Sequence, residues 1–218
     1  REAAKTIGLK LKGAKVVIQG YGNAGTFAAE YLEKMGAKII AVSDTRGSII
    51  NPKGLDSKKV LEYKNKTGSV VGYPGSKKIT TEQLLTTKCD VLIPAALENQ
   101  INASIAKKLQ CKIIAEAANG PTMPEADPII YQKKIMVIPD ILANSGGVMC
   151  SYFEWTQNIQ EFSWPIDKFR RELDSRMEKA FGQTHKASKK YQVDLRTAAF
   201  VVAVQRVADS FELRGSLV

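Results

Sequence analysis

The chain has 218 residues, 44% of them hydrophobic, enough for one large packed domain or two small ones, which excludes a disordered segment. Its formal net charge of +10 invites polyanionic partners, but the lysines fall in separated pairs (58–59, 77–78, 107–108, 133–134, 189–190) with no interleaved aromatics, so no nucleic-acid partner is expected. No apolar run approaches the roughly 20 residues of a bilayer span, which argues against membrane insertion, and three cysteines without a CxxC pair point to a reducing, cytoplasmic setting.

Arg1 opens the chain, and the residues after it lack the apolar stretch of a secretory signal. Residues 15–19 (KVVIQ) read as a buried strand running into glycines. The next stretch sets Ala24, Phe27, Ala28, Tyr31, Leu32 and Met35 at helical spacing, with Gly36 as the C-terminal cap. Residues 38–43 form a second strand, completing a β-α-β unit of crossover size. Helices follow around 56–66 and 81–86, the latter opening with Thr80 and Gln83 at capping-box spacing. The stretch 68–78 reads as an irregular surface excursion. Then come a strand at 90–94, a helix at 102–109 and a strand at 112–116. A short helix over 124–133, with Thr122 and Glu125 as a second capping box, precedes a last strand at 134–139. Strands and helices in strict alternation predict a parallel sheet covered on both faces, an α/β Rossmann-type doubly wound, mostly parallel sheet. Beyond residue 147 only helices are expected, at 148–159, 167–191 and 195–213, the last with Phe200, Val204, Val207, Ala208 and Phe211 on one face. The expected organisation is a domain over 1–147 and C-terminal helices over 148–218. His185, the single histidine, lies in a polar stretch and reads as a solvated surface residue. Neither a metal site nor a histidine-based triad is expected.

The chemistry concentrates at strand ends. Gly20-Tyr21-Gly22-Asn23-Ala24-Gly25 is a G-x-G-x-x-G at the turn from the first strand into the first helix. In that context the first glycine permits the turn, the second admits a pyrophosphate and the third lets helix and strand approach. Asp44, 24 positions past Gly20, ends the second strand where a carboxylate can accept from adenosine ribose hydroxyls. Arg46 can grip a 2′-phosphate, so NAD and NADP both stay open. Asn119 and Asn144, also past strand ends, offer amides suited to a nicotinamide or its ribose, though Asn144 can equally cap a helix.

Five strings carry a resemblance. They are Gln19-Gly-Tyr-Gly-Asn-Ala-Gly25, Val42-Ser-Asp-Thr-Arg-Gly47, Pro94-Ala-Ala-Leu-Glu-Asn-Gln100, Glu116-Ala-Ala-Asn-Gly-Pro121 and Ser145-Gly-Gly-Val-Met-Cys-Ser-Tyr-Phe-Glu-Trp155. With Gln205-Arg-Val-Ala they resemble the second, dinucleotide-binding domain of the glutamate dehydrogenases, in the group that also holds leucine, valine and phenylalanine dehydrogenases. The resemblance implies that Gly20, Tyr21, Gly22, Asn23, Ala24, Gly25 and Thr26 hold the pyrophosphate. It implies that Asp44, Thr45 and Arg46 meet the adenosine ribose and that Ala95 and Ala96 adjoin the cofactor. It sets Asn119 and Asn144 near the nicotinamide, and Val148 and Ser151 at the substrate side chain, where a hydroxyl suits the γ-carboxylate of glutamate. The group's lysine-bearing K-G-G-type segment does not occur in these residues. No catalytic residue is therefore expected in this chain. The resemblance implies an NAD- or NADP-dependent enzyme that interconverts L-glutamate and 2-oxoglutarate, completed by an N-terminal catalytic domain and assembled as a homo-hexamer. This chain alone is expected to bind dinucleotide without turnover. The alternative is a stand-alone dinucleotide-binding regulatory module.

Overall fold

The computed structural model describes residues 1–215; positions 216–218, the end of the expected helical segment 148–218, lie outside the described residues. The first elements are α1 (Glu2–Thr6), β1 (Lys15–Gln19), α2 (Asn23–Lys34), β2 (Lys38–Asp44), β3 (Gly47–Ile50), α3 (Ser57–Thr67), β4 (Lys77–Ile79) and α4 (Thr81–Leu85). Then follow β5 (Val91–Pro94), α5 (Ala103–Lys108), β6 (Ile113–Ala115), α6 (Asp127–Gln132), β7 (Met136–Ile138) and α7 (Asp140–Ala143). Three long helices close the chain: α8 (Ser145–Ile159), α9 (Ile166–Tyr191) and α10 (Leu195–Arg214).

Seven strands form one sheet in the order β4-β3-β2-β1-β5-β6-β7. The five from β2 to β7 across β1 are parallel, and the apolar runs of β1, β2 and β5 are buried on both faces, as helices on each side require. The winding reverses between β1 and β5. In an open α/β sheet a crevice forms at that point, beyond the carboxyl ends of the two strands. On one side of the sheet Val17, Leu92 and Ile114 pack with Leu84, Ile105, Ala106 and Ile130 into a core cluster.

Several elements differ from the sequence expectation. β3 and β4 pair antiparallel at the edge of the mostly parallel sheet; no strand is expected at 47–50, and 77–78 fall in the stretch 68–78 that reads as an irregular excursion. β3 follows β2 through a two-residue turn at Thr45 and Arg46, too short for a crossover and therefore a hairpin. The Thr122 and Glu125 capping box does not form: α6 starts at Asp127, with Pro128 in its first turn. By contrast, Thr80 and Gln83 exchange both capping-box bonds. On α2 the buried positions are Gly25 and Ala29, whereas Phe27, Tyr31 and Met35 are exposed. The close approach of this helix to the sheet accommodates only its small residues.

The chain divides between Asp140 and Ile141 into two compact units, with Glu2 grouped with the second. The expected domain boundary falls after residue 147, and Gly146 and Gly147 lie inside the first turn of α8. In the second unit, the buried Phe153 ring lies 5.3 Å from both Trp164 and Phe169. The Arg176 guanidinium covers the same ring at 5.4 Å. His185 is half-buried and stacked on Phe181, not freely solvated, and burial, then Lys189, holds its pKa below the usual value. Val148, Tyr152, Trp155 and Ile159 are exposed along α8, as are Phe200, Val204, Val207 and Phe211 along α10. No helix among the described residues is long and apolar enough to cross a membrane.

Candidate functional site

The glycines of the first turn do three separate things. Gly20 has φ +94°, and a Cβ built there would stand 2.6 Å from the Ala95 carbonyl oxygen and 2.9 Å from the Ala96 nitrogen. Only glycine lets the β1 and β5 ends approach so closely. At Gly25 a Cβ would meet the Gly20 oxygen at 1.9 Å, so α2 and β1 pack there backbone to backbone. Gly22 differs: its φ is −86°, and a Cβ would enter open space. It is the N-cap of α2 and offers no side-chain bond, so the first-turn N–H groups of Asn23 and Ala24 are left for solvent or a ligand. Asn23 and Ala24 are exposed, and the half-buried Thr26 donates its hydroxyl to the Tyr21 carbonyl at 3.4 Å. A diphosphate fits this arrangement: it offers N–H donors at a helix start and no side chain at Gly22.

Helix α3 fixes that turn. The Tyr21 side chain is buried, with 1% exposure, and donates its hydroxyl to the Ser57 carbonyl at 2.9 Å at the start of α3. Burial, then Glu33 and Asp56, drives its pKa upward. Near the other end of α3, Lys64 Nζ donates to the Tyr21 carbonyl at 2.6 Å. Asp56 caps the helix through Lys59 N, and Glu33 accepts from the Ser57 backbone and hydroxyl, joining α2 to the same corner. The Gly20 N–H donates to Ser43 Oγ at 2.9 Å, which ties the turn to the end of β2.

Asp44 is more heavily engaged than its place at a strand tip suggests. Its Oδ1 accepts from Arg46 N at 2.8 Å and Ser69 Oγ at 3.1 Å, and its Oδ2 accepts from Val70 N at 2.6 Å. Partial burial raises the carboxyl's pKa, but the bonds from Val70, Arg46 and Ser69, with the charge of Lys64, outweigh it and hold the value below the usual range. Thr45 and Arg46 are exposed on the hairpin turn, and the Arg46 guanidinium lies beside Gly68, the left-handed C-cap of α3.

Across the crevice, Ala95 N donates to the Gln19 carbonyl at 2.7 Å, and Gln19 Nε2 donates to Gln100 Oε1 at 2.7 Å, bracing the loop that carries Ala95 and Ala96. Asn119 is exposed, on a loop held by bonds from Ala117 N and Ala118 N to the Pro94 carbonyl. The buried Glu116 carboxylate accepts from Asp140 N at 2.9 Å, and Asp140 Oδ2 accepts from Gly120 N at 2.8 Å, so the ends of β6 and β7 are locked together. In the second unit, the half-buried Asn144 is the N-cap of α8 but makes no capping bond with its side chain. Val148 is 72% exposed, and the exposed Ser151 hydroxyl reaches only its own turn, the Gly147 carbonyl, at 3.5 Å.

The first unit thus gathers Gly20 through Thr26, Asp44 through Arg46, and Ala95 with Ala96 around one crevice. Sequence reasoning misses Ser43, Ser57, Lys64, Ser69 and Gln100. Ser43, next to Asp44 at a strand end, carries a signal that could have flagged it; Lys64 resembles every other lysine on a polar helix and gives none.

The Glutamate/Leucine/Phenylalanine/Valine dehydrogenase family matches residues 1–215. The chain is 47% identical over 214 residues to a glutamate dehydrogenase from Thermotoga maritima, covering 98% of this chain and 51% of that one. It is 48% identical over 219 residues to an NADP-specific glutamate dehydrogenase from Saccharolobus shibatae, covering 100% of this chain and 52% of that protein. Among solved structures, the hetero-hexameric glutamate dehydrogenase of Thermus thermophilus in its leucine-bound form superposes with a TM-score of 0.93 at 31% identity, over 100% of this chain and 51% of its own. The chain therefore spans about half the length of the relatives it matches. With a glycine turn at the winding reversal, a bare helix start and a sequence match from end to end of the described residues, this chain belongs to the Glutamate/Leucine/Phenylalanine/Valine dehydrogenase family.

Proposed function

We propose that the chain is the dinucleotide-binding half of an NAD(P)-dependent glutamate dehydrogenase. The whole enzyme takes L-glutamate, water and oxidised dinucleotide to 2-oxoglutarate, ammonium, reduced dinucleotide and a proton, reversibly. The observation that carries this reading is the uncapped start of α2 beside Gly22, facing open space at the reversal between β1 and β5. The pyrophosphate takes the N–H groups of 22–25, the adenosine ribose lies toward Asp44, Thr45 and Arg46, and Ala95 and Ala96 form the facing wall. Asn119 and Asn144 meet the nicotinamide end. Val148 and Ser151, three residues apart on α8 and so on one face, receive the substrate side chain. The Ser151 hydroxyl is held at 3.5 Å, near the limit of a hydrogen bond, and turns readily to a carboxylate.

The dinucleotide supplies the hydride acceptor. The proton-transfer groups that activate water and form the imine belong to the N-terminal catalytic domain, the partner of this half in a hexameric enzyme. Three free cysteines fit a reducing, cytoplasmic setting. Equilibrium titration of the isolated chain with NADH and NADPH, followed by cofactor fluorescence, tests the reading. Binding of at least one, with no glutamate-dependent reduction of NAD or NADP, is the expected pair of results. Binding of neither would sink it, and turnover by this chain alone would return the proton-transfer groups to these residues.

A further inference from the structure

A side-chain link spans the crevice between β1 and β5 that none of the proposed cofactor contacts uses, and its role rests on the reading that a dinucleotide is held here. Gln19 ends β1, directly before the glycine turn, and is 3% exposed. Its Nε2 donates to Gln100 Oε1 at 2.7 Å, and Gln100 Nε2 donates in turn to the Glu98 carbonyl at 3.0 Å. Gln19 Oε1 is buried with no partner among the described residues. An amide with its acceptor buried and unmatched is a costly filler for a core, and a methionine of similar length would fill the space without that cost. What the amide supplies is direction, a donor aimed from the end of β1 at one point on the 95–100 loop.

That loop holds a second one. The chain turns at Asn99, with φ +57°, a left-handed conformation that asparagine tolerates. Asn99 N donates to the Gly120 carbonyl at 2.8 Å, and Gln100 N and Ile101 N both donate to the Pro121 carbonyl, at 2.8 and 2.9 Å. On the other side of Asn119, Ala117 N and Ala118 N donate to the Pro94 carbonyl, at 3.0 and 2.9 Å. Asn119 is therefore held between the two ends of the one segment 94–101. At the near end of that segment backbone pairing fixes Pro94 and Ala95 to β1. After the exposed residues 96–99, Gln100 returns to β1 through its side chain.

We propose that Gln19 and Gln100 are a pair of positioning residues: the bond between their amides sets the 95–100 loop, and through it Asn119, at the separation from the glycine turn that the nicotinamide end of a dinucleotide requires. Neither side chain has to touch the cofactor. The glycine turn grips the diphosphate and Asn119 meets the nicotinamide, so the two contacts stand at opposite ends of one half of the ligand. A loop displaced by about 1 Å loses the second contact without disturbing the first.

The test is calorimetric titration of the unsubstituted chain, Gln100→Met, Gln19→Met, the double variant and Asn119→Ala with NADH and NADPH, and with ADP-ribose and its 2′-phosphate, which lack the nicotinamide. Gln100→Met is expected to weaken both reduced dinucleotides about fivefold, the worth of one hydrogen bond. It should shift the two nicotinamide-free ligands by no more than about twofold and move the fluorescence emission of bound NADH toward that of the free cofactor. Gln19→Met should do the same, and the double variant should bind no more weakly than either single one, because all three remove the same bond. Placed on Asn119→Ala, Gln100→Met should cost NADH no more than about a further twofold, since the contact it positions is already gone. Equal losses for NADH and ADP-ribose would overturn the proposal, because the pair would then only stabilise the fold. Additive losses in the double variant, or unchanged NADH binding in Gln100→Met, overturn it as well. Should Gln19→Met fail to fold, Gln100→Met, altered at a half-buried position, decides alone. If the unsubstituted chain binds ADP-ribose as tightly as NADH, the nicotinamide meets nothing here, and this proposal falls while dinucleotide binding stands. If it binds none of the four ligands, both fall.

Discussion

At Gly25 an added methyl would stand 1.9 Å from the Gly20 carbonyl, a backbone atom that cannot swing aside. Gly25→Ala must push α2 off β1, and it is expected to destabilise the first unit by about 3 kcal/mol, the upper range for overpacking. Gly22→Ala adds the same methyl into open space at φ −86°. Its cost to stability should stay within about 0.5 kcal/mol, as for a surface change, while NADPH binding weakens because the methyl stands where the diphosphate must approach. Thermal melts of both variants, with NADPH titration of the Gly22 variant, separate architecture from binding. Asp44 makes a third prediction. Its folded pKa is depressed, so its contribution to stability is fully present above the unfolded value of about 4 and is lost as pH falls through the folded one. The difference in melting temperature between the unsubstituted chain and Asp44→Asn should be widest at neutral pH and shrink on acidification below about pH 4. A difference that grows in acid would refute the role given to this carboxylate.

Elements whose signal is local are the ones legible in the sequence. β1 and β2 are apolar runs rich in β-branched residues, α3 starts at a capping Asp56, and α4 at a full capping box. The residues of the glycine turn are legible because the G-x-G-x-x-G carries its own geometry. The edge hairpin is not: Gly47–Ile50 is four residues long, and Lys77–Ile79 is three residues with two lysines, so neither shows periodicity. Pairing across sequence, between β3 and a strand that begins 27 positions after β3 ends, makes them strands. The displaced start of α6 has the same cause in reverse, because Thr122 and Glu125 have capping-box spacing but Thr122 joins an isolated bridge with Ile101 instead. At the site, Asp44 is recognisable by position alone. That its oxygens are committed depends on Ser69 and Val70, whose approach is a tertiary event that no local pattern announces.

The molecule is organised as two units with separate cores. The sheet unit is built on a broad layer of aliphatic side chains, whereas the helical unit centres on a few aromatic rings around Phe153. Phe153→Ala removes a fully buried ring and is expected to destabilise the helical unit by about 3–5 kcal/mol. Circular dichroism should then show early loss of helix while NADPH binding by the sheet unit persists. Simultaneous loss of both signals would mean that the units do not unfold independently. The edge strand β4 carries one more consequence. Its neighbours on one side are taken by β3, but its other flank ends the sheet with open backbone groups, beside two exposed lysines at 77 and 78. A second molecule trying to extend the ladder there would bring like charges together along a strand only three residues long. Those lysines thus discourage fibrillar stacking along the sheet's open edge.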